Sequence, residues 1–270
     1  MSVAAAPEQR RRLLRDGEAS SDARYVLYWM TANRRLRSNF ALQHAVHEAE
    51  ALGLPLLIAE GLDVDHPWSS RRMHRAIIEG MVANGSEAAA TTASYYPYVE
   101  HRSGEGQGWI AALSRQAAVV VVDDAPIMGW QGILQRLRSD IDARLVAVDS
   151  VGVLPMRQPG RVFKTAYSFR RHLHRHLPAA LLQWPVDEPL VDAQVPPAAD
   201  LVADDILSRW PRARLDDIDA LLEGKSFRCV VPELPNRGGA HAARERLDAF
   251  ASEGLTHYLE SHRDPCGPAA

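Results

Sequence analysis

The sequence feature that most restricts the possible folds of this chain is a series of short apolar runs. Stretches with helical periodicity separate these runs. The runs lie at residues 25–30, 54–59, 94–99, 118–122 and 144–148. Four of them are almost continuously apolar, which is typical of strands covered on both faces of a parallel sheet. The run at 94–99 is more mixed and is predicted to lie nearer an edge of the sheet.

Helical stripes fill the intervals between these runs. Apolar residues recur at i, i+3, i+4 and i+7 spacing at 42–49, 73–81 and 130–137. Ser38 is the predicted cap of the first helix, and Ser69 or Ser70 that of the second. Alternating strands and helices imply parallel strands with right-handed crossovers. We therefore predict an α/β fold, a five-stranded parallel Rossmann-like sheet with helices on both faces, followed by a linker and a few C-terminal helices.

Composition divides the chain into four stretches. Residues 1–23 are polar and are predicted to be a loose lead-in with a helix through Leu13 and Leu14. Residues 24–182 form the predicted α/β domain. Residues 183–210 begin with a proline-rich, acidic stretch, which indicates an extended linker. Residues 211–270 carry two further helical stripes, around 215–222 and 247–258, and a loop-like end.

The overall composition is that of an ordinary globular protein. The 270 residues are 46% hydrophobic and 24% charged, with a net charge of −3, so any contact with a polyanion must come from local patches. Cys229 and Cys266 lie outside any C-x-x-C spacing and predict neither a disulfide framework nor a metal site. A reducing cytoplasm is the expected location. No run has the length of a membrane span, so no membrane partner is expected.

Three arginines, Arg34, Arg35 and Arg37, follow the first predicted strand. Because a helix begins where the strand ends, its free N–H groups and these guanidinium groups converge on one spot. Such a cluster could hold a phosphate or the polar edge of a chromophore. The alternative is a solvated turn in which one arginine pairs with a local carboxylate.

Acidic residues follow the fourth and fifth predicted strands. Asp123 and Asp124 end the fourth, and Asp149 ends the fifth. Ligands of such sheets bind at the carboxyl ends of the strands. The alternative for the first pair is that an aspartate caps the next helix, which Pro126 would open.

Residues 161–176 are the densest basic stretch, and aromatic residues are interleaved with the cations. This pattern can bind a nucleic-acid strand, although an amphipathic helix with a solvated cationic face is the commoner structure. The histidines at 172, 174 and 176 alternate and would not all share one helix face, which argues against a metal site.

No familiar catalytic signature is present. The chain lacks a G-x-S-x-G elbow, a Walker loop and an H-E-x-x-H motif, so a self-contained hydrolase or kinase has no support. Gly104, Gly106 and Gly108 have the wrong spacing for a dinucleotide fingerprint and predict a loop.

Residues 25–178 nevertheless resemble the N-terminal α/β half of the deoxyribodipyrimidine photolyases, in particular a class II-like prokaryotic branch. The most specific piece is Leu36-Arg37-x-Asn39-x-Ala41-Leu42. Residues 237–250, with Tyr258 and Arg263, resemble the family's lead-in to its second domain. The matching segments, in chain order, are YVLYWMTANRRLRSNFALQHAV, PLLIAEGL, HPWSSRRMHRAIIEGM, YYPYVE, VVVVDDAP, VAVDSVGVLPMR and RVFKTAYSFRRHLHRHLP.

The resemblance implies light-driven repair of cyclobutane pyrimidine dimers in damaged DNA, a carbon–carbon lyase reaction in which reduced FAD supplies the electron. In the family, FAD is bound by an all-helical domain whose first segment is expected just after Pro268. We therefore expect this chain to be the N-terminal part of a photolyase, with no catalytic residue of its own and no repair by the chain alone.

The family's α/β half can carry a folate or deazaflavin antenna. The resemblance implies that its pocket lies at the carboxyl edge of the sheet, where the fifth strand is followed by Val151-Gly152 instead of the His-Asn usual in class II members. The candidate contacts are Met30, Arg34, Arg35, Arg37, Asn39, Asp123 and Asp149.

Two other functions fit the same sequence. One is a stand-alone nucleotide- or chromophore-binding domain of Rossmann-like type without catalysis. The other is an interaction protein whose C-terminal helices expose Leu247, Phe250 and Tyr258 and dimerise.

Overall fold

The computed structural model describes residues 2–66, 68–127, 129–191, 193–197, 200–233 and 237–262. Arg263, Cys266 and Pro268 lie outside these ranges. Within them the chain forms a six-stranded sheet of order β1-β6-β5-β2-β3-β4. The strands are β1 (Arg11–Arg15), β2 (Tyr25–Met30), β3 (Leu56–Leu62), β4 (Ser94–Val99), β5 (Ala117–Asp123) and β6 (Arg144–Val148).

The five predicted strands are all present and run parallel to one another. The bounds of β2, β4 and β6 are those predicted, while β3 and β5 extend further at their carboxyl ends. β4, the run with the mixed pattern, lies at an edge of the sheet. The fold class predicted from alternation is therefore confirmed.

The sixth strand corrects the prediction for the lead-in. Leu13 and Leu14 lie in β1, which pairs antiparallel with β6, and not in a helix. Leu13 is 52% exposed, whereas Leu14 packs against the core. Adjacent residues facing opposite sides are a property of strands. A five-residue segment with three arginines gives no apolar run, so the sequence pattern did not reveal it.

Helices connect the strands, and further helices come after the last strand in the chain. Asn39, not the predicted Ser38, caps α1, and Ser70 caps α2 as predicted. Neither Asp123 nor Asp124 caps α4, which begins at Trp130 after Gly129. The helices are α1 (Phe40–Leu52), α2 (Arg71–Ala88), α3 (Trp109–Ser114), α4 (Trp130–Asp140), α5 (Ala166–Ala180), α6 (Asp204–Arg209), α7 (Ile218–Leu222), α8 (Ala240–Ala249) and α9 (Leu255–Ser261), with a π-helical turn at Phe250–Gly254 between the last two.

The core has one layer on each face of the sheet. Side chains of α1 cover one face, and those of α3, α4 and α6 cover the other. The segment predicted as an extended linker contributes to both layers, because Leu190 and Val195 are buried on the α1 side and Leu201 and Ile206 on the opposite side. No helix in the described ranges is long and apolar enough to cross a bilayer.

Candidate functional site

The strand ends predicted to hold ligands meet at one edge of the sheet. In the ladder, Met30 of β2 pairs with Glu60 of β3, and Asp123 of β5 pairs with Val148 of β6. Asp149 directly follows. The residues predicted from the sequence therefore do lie together at the carboxyl edge of the sheet. The contacts of each side chain show its role at this edge.

Asp123 anchors the turn between β2 and α1. Its side chain is fully buried. Oδ2 accepts hydrogen bonds from the backbone N–H groups of Thr31, Ala32 and Asn33 at 2.9, 2.7 and 3.1 Å. Oδ1 accepts the Tyr28 hydroxyl at 2.9 Å. The Thr31 hydroxyl also donates to Oδ2, at 3.4 Å, so five donors from within the protein satisfy this buried carboxylate.

Asn39 extends the same network. Its Nδ2 donates to the Tyr28 hydroxyl at 3.0 Å, and its Oδ1 accepts from the N–H groups of Ala41 and Leu42 at 3.0 and 3.3 Å. The Ser150 hydroxyl also donates to Oδ1, at 3.0 Å. Burial, and then the charge of Asp123, hold the pKa of Tyr28 well above its usual range. The hydroxyl therefore stays protonated and links β2 to the end of β5.

Arg34 belongs to a second buried network. Its Nη1 lies 3.0 Å from Glu60 Oε1, and its Nη2 donates to the Gly61 carbonyl at 2.7 Å. Glu60 is fully buried and also accepts from Asn84 Nδ2 at 2.9 Å and from the Tyr95 hydroxyl at 2.6 Å. This arginine therefore neutralises an internal carboxylate.

The other two arginines of the turn have similar partners. Arg37 Nε lies 2.7 Å from Glu87 Oε1, and its Nη1 pairs with Glu188. Arg35 donates to the carbonyls of Arg37 and Ser38, both at 3.1 Å. Arg34 and Arg37 therefore form ion pairs with nearby carboxylates in the structure, as in the alternative described for this cluster.

Backbone N–H groups and an arginine that the sequence analysis did not select contact the Asp149 carboxylate. It accepts the N–H groups of Val151 at 2.8 Å and Met156 at 2.7 Å. The buried Arg10 lies 3.9 Å from its Oδ2 and donates to the Val153 carbonyl at 2.6 Å. Burial raises the pKa of Asp149, although the two N–H donors and Arg10 oppose the shift. No sequence signal marked Arg10, because it precedes a strand that was not predicted.

The role of the seven antenna candidates in binding a chromophore stays a prediction. Met30 is completely buried in the core layer beneath α1. Each of the other six forms hydrogen bonds or ion pairs within the protein. In the described part of the chain, no cluster of three or more His, Cys, Asp or Glu side chains could hold a metal ion.

An open groove of about 860 Å³ lies beside this edge. Arg157 connects it to the strand ends, because its Nε lies 3.0 Å from Oδ2 of the buried Asp124. The rings of Phe163 and Phe169 form part of its wall, with centroids 5.3 Å apart. Arg161 and Lys164 add positive charge, and none of the described residues that line the groove is acidic. Its aromatic and cationic lining is of the kind that binds aromatic or anionic ligands.

Comparison with known sequences finds two proteins that carry the same name. No family model matches the chain. A stretch of 73 residues, 27% of this chain, is 38% identical to the deoxyribodipyrimidine photo-lyase of Methanothermobacter thermautotrophicus and covers 16% of it. The deoxyribodipyrimidine photo-lyase of Oryza sativa subsp. japonica is 27% identical over 264 residues, which cover 91% of this chain and 48% of that protein.

Comparison of folds agrees with the sequences. The crystal structure of a bacterial class III photolyase from Agrobacterium tumefaciens matches 93% of this chain and 49% of that one, with a TM-score of 0.57 and 18% identity. The chain thus spans about half the length of the rice protein and of this structure. Taken with the six-stranded sheet and the helices around it, these matches show that the chain is similar to the N-terminal α/β part of deoxyribodipyrimidine photolyases.

Proposed function

We propose that this chain is the α/β part of a DNA photolyase, a protein that repairs cyclobutane pyrimidine dimers in damaged DNA with light and FAD. The observation that carries the proposal is the match to the rice deoxyribodipyrimidine photo-lyase, which extends over 91% of the chain. Because the chain spans about half of that protein, repair is proposed for the α/β domain together with a helical FAD domain, in the cytoplasm.

The described residues contribute a rigid scaffold to this function. The carboxylate of Asp123 fixes the turn after β2, and Asn39 fixes the start of α1. When bound, FAD would supply the electron chemistry. No residue of this chain is assigned to it, and no catalytic residue is proposed here.

A folate or deazaflavin antenna stays part of the proposal through the family resemblance. Its proposed contacts lie at the carboxyl edge of the sheet and are Met30, Arg34, Arg35, Arg37, Asn39, Asp123 and Asp149. Absorption of the purified chain tests this part, since a bound antenna gives a band in the near-ultraviolet or blue. A colourless chain that takes up neither added folate nor added deazaflavin would contradict antenna binding.

Repair of a defined lesion tests the main proposal. The 270-residue chain, alone and joined to a photolyase FAD domain, is incubated with FAD, a reductant and an oligonucleotide that carries one thymine dimer, in darkness and under blue light. We expect light-dependent repair by the joined domains and none by the 270-residue chain alone. Absence of repair by the joined domains would contradict the photolyase assignment, and repair by the 270 residues alone would contradict our placement of the catalysis.

The second candidate function is a nucleotide- or chromophore-binding domain without catalysis. The open groove beside the sheet edge favours it, because ligand sites of small molecules commonly have this volume. A ligand that binds the chain, while the chain joined to a photolyase FAD domain shows no repair, would favour this function over the first.

A further inference from the structure

The segment from 150 to 186 is strongly cationic in a protein that is acidic overall. It contains no aspartate or glutamate, while the whole chain has a net charge of −3. Three histidines add to its positive charge when protonated. Its lysine and arginine residues are Arg157, Arg161, Lys164, Arg170, Arg171 and Arg175.

These cations lie on an exposed element. Of the residues of α5, only Ala180 is buried. Tyr167, Arg171 and Arg175 follow one another at four-residue spacing, so they form a row on one helix face, and all three are exposed. The Arg171 guanidinium lies 6.0 Å from the Tyr167 ring centroid. Just before the helix, the guanidinium of Arg161 lies 5.0 Å from the Phe163 ring centroid.

Acidic partners are scarce on this surface. Arg157 pairs with Asp124, but in the described ranges the other five lysine and arginine residues form no ion pair with a carboxylate. The arginines at the sheet edge, in contrast, neutralise Glu60, Glu87 and Glu188. Partial burial, His176 and the cations Arg161 and Arg175 lower the pKa of His172. A local excess of positive charge without counter-charges is the electrostatic footprint of a polyanion contact.

We propose that α5 and the loop before it, residues 157–175, bind single-stranded nucleic acid. The arginines and Lys164 contact phosphates, and exposed rings such as Tyr167 offer stacking surfaces for unpaired bases. An anionic membrane surface fits less well, because the row that Tyr167, Arg171 and Arg175 form on α5 holds no aliphatic side chain, and Val162 is the strongly exposed aliphatic residue in the loop before it. The contact requires no light, flavin or lesion, so it goes beyond the proposed function and can fail or succeed separately from it.

Binding of undamaged oligonucleotides tests the proposal. The probes are a fluorescein-labelled 20-nucleotide oligothymidylate and a duplex of the same length, titrated in darkness with the 270-residue chain at 50–200 mM salt. The test variant is R161A/R171A/R175A. The matched control is R115A/R136A/R138A, which removes the same charge from three other exposed positions. Circular dichroism verifies that both variants fold.

We expect the test variant to bind oligothymidylate at least about tenfold more weakly, with a salt slope reduced by about two, and the control to bind nearly as well as the unmodified chain. Tyr167→Ala should weaken binding to oligothymidylate about fivefold or more and affect the duplex less. Equal losses in the two triple variants, or tighter binding of the duplex, would overturn the proposal. So would binding of phosphatidylserine vesicles, but no oligonucleotide, by the same surface.

Discussion

Individual residues at the sheet edge act mainly as connectors between distant segments. Asp123 is the clearest case, because one carboxylate accepts three backbone N–H groups and a tyrosine hydroxyl. A side chain of the right type at the right strand end was visible in the sequence. Its partners were not, since they come from a turn about ninety residues earlier in the chain.

We predict that Asp123→Ala lowers the free energy of unfolding by about 3 kcal/mol, because it leaves buried backbone donors without an acceptor. Urea denaturation followed by circular dichroism measures the change. Asp140→Ala, an exposed aspartate at the end of α4, is the control and should change stability by less than about 0.5 kcal/mol. Equal stability of the two variants would show that the network contributes little.

A second prediction at this scale concerns His44, which is buried on α1. Burial, followed by the charges of Arg11, His47 and Arg144, lowers its pKa to about 3, although Glu48 Oε1 lies 3.4 Å from its Nε2. Above the ordinary pKa of 6.5 this histidine is neutral in both the folded and the unfolded state, but as the pH falls below 6.5 the unfolded state binds a proton that the folded state does not, so stability is lost.

We therefore expect His44 to contribute a loss of about 2 kcal/mol between pH 7 and pH 5, measured by urea denaturation at each pH. His44→Leu should make the profile flatter over this window. His101→Asn, at an exposed histidine, should leave the profile unchanged. A His44→Leu profile as steep as that of the unmodified chain would contradict this assignment.

At the scale of elements, β1 is the main departure from the sequence prediction. It protects the edge of β6, and the residue just before it, Arg10, buries its guanidinium against Asp149 and Phe40. β1 then forms the edge of the sheet itself, and a short edge strand with three arginines disfavours aggregation. The polar lead-in is thus part of the sheet.

Two adjacent leucines provide a matched test of this strand. Leu14→Asp should lower the free energy of unfolding by about 2 kcal/mol, because Leu14 packs on the core. Leu13→Asp should change stability by less than about 0.5 kcal/mol, since its side chain is half exposed on the other face. Urea denaturation distinguishes them. Similar losses for both variants would contradict the strand assignment.

At the scale of the whole molecule, the helices after the sheet expose apolar surface. Leu247 and Leu255 are 57% and 58% exposed, and Leu259 is 84% exposed. Phe250 and Tyr258 pack edge to face with ring centroids 6.0 Å apart. Clustered exposed leucines are typical of surfaces that are covered by another protein surface.

We expect the 270-residue chain to self-associate through this face, and L255Q/L259Q to shift it towards monomer. Sedimentation velocity at several protein concentrations measures the distribution. Leu52→Gln, at an exposed leucine on the end of α1, is the control and should leave association unchanged. A chain that stays monomeric at all concentrations would contradict this prediction.

The sequence determined the five parallel strands, because each apolar run is long enough to specify a buried strand by itself. It also identified the residue types at the sheet edge, since strand ends can be read locally. Tertiary structure decided which hydrogen bonds and ion pairs those residues form. The partners of Arg34, Asn39 and Asp123 come from other elements, and β1 acquires its conformation by pairing with β6. Pairing between segments far apart in the chain leaves no local pattern, so only the folded arrangement reveals it.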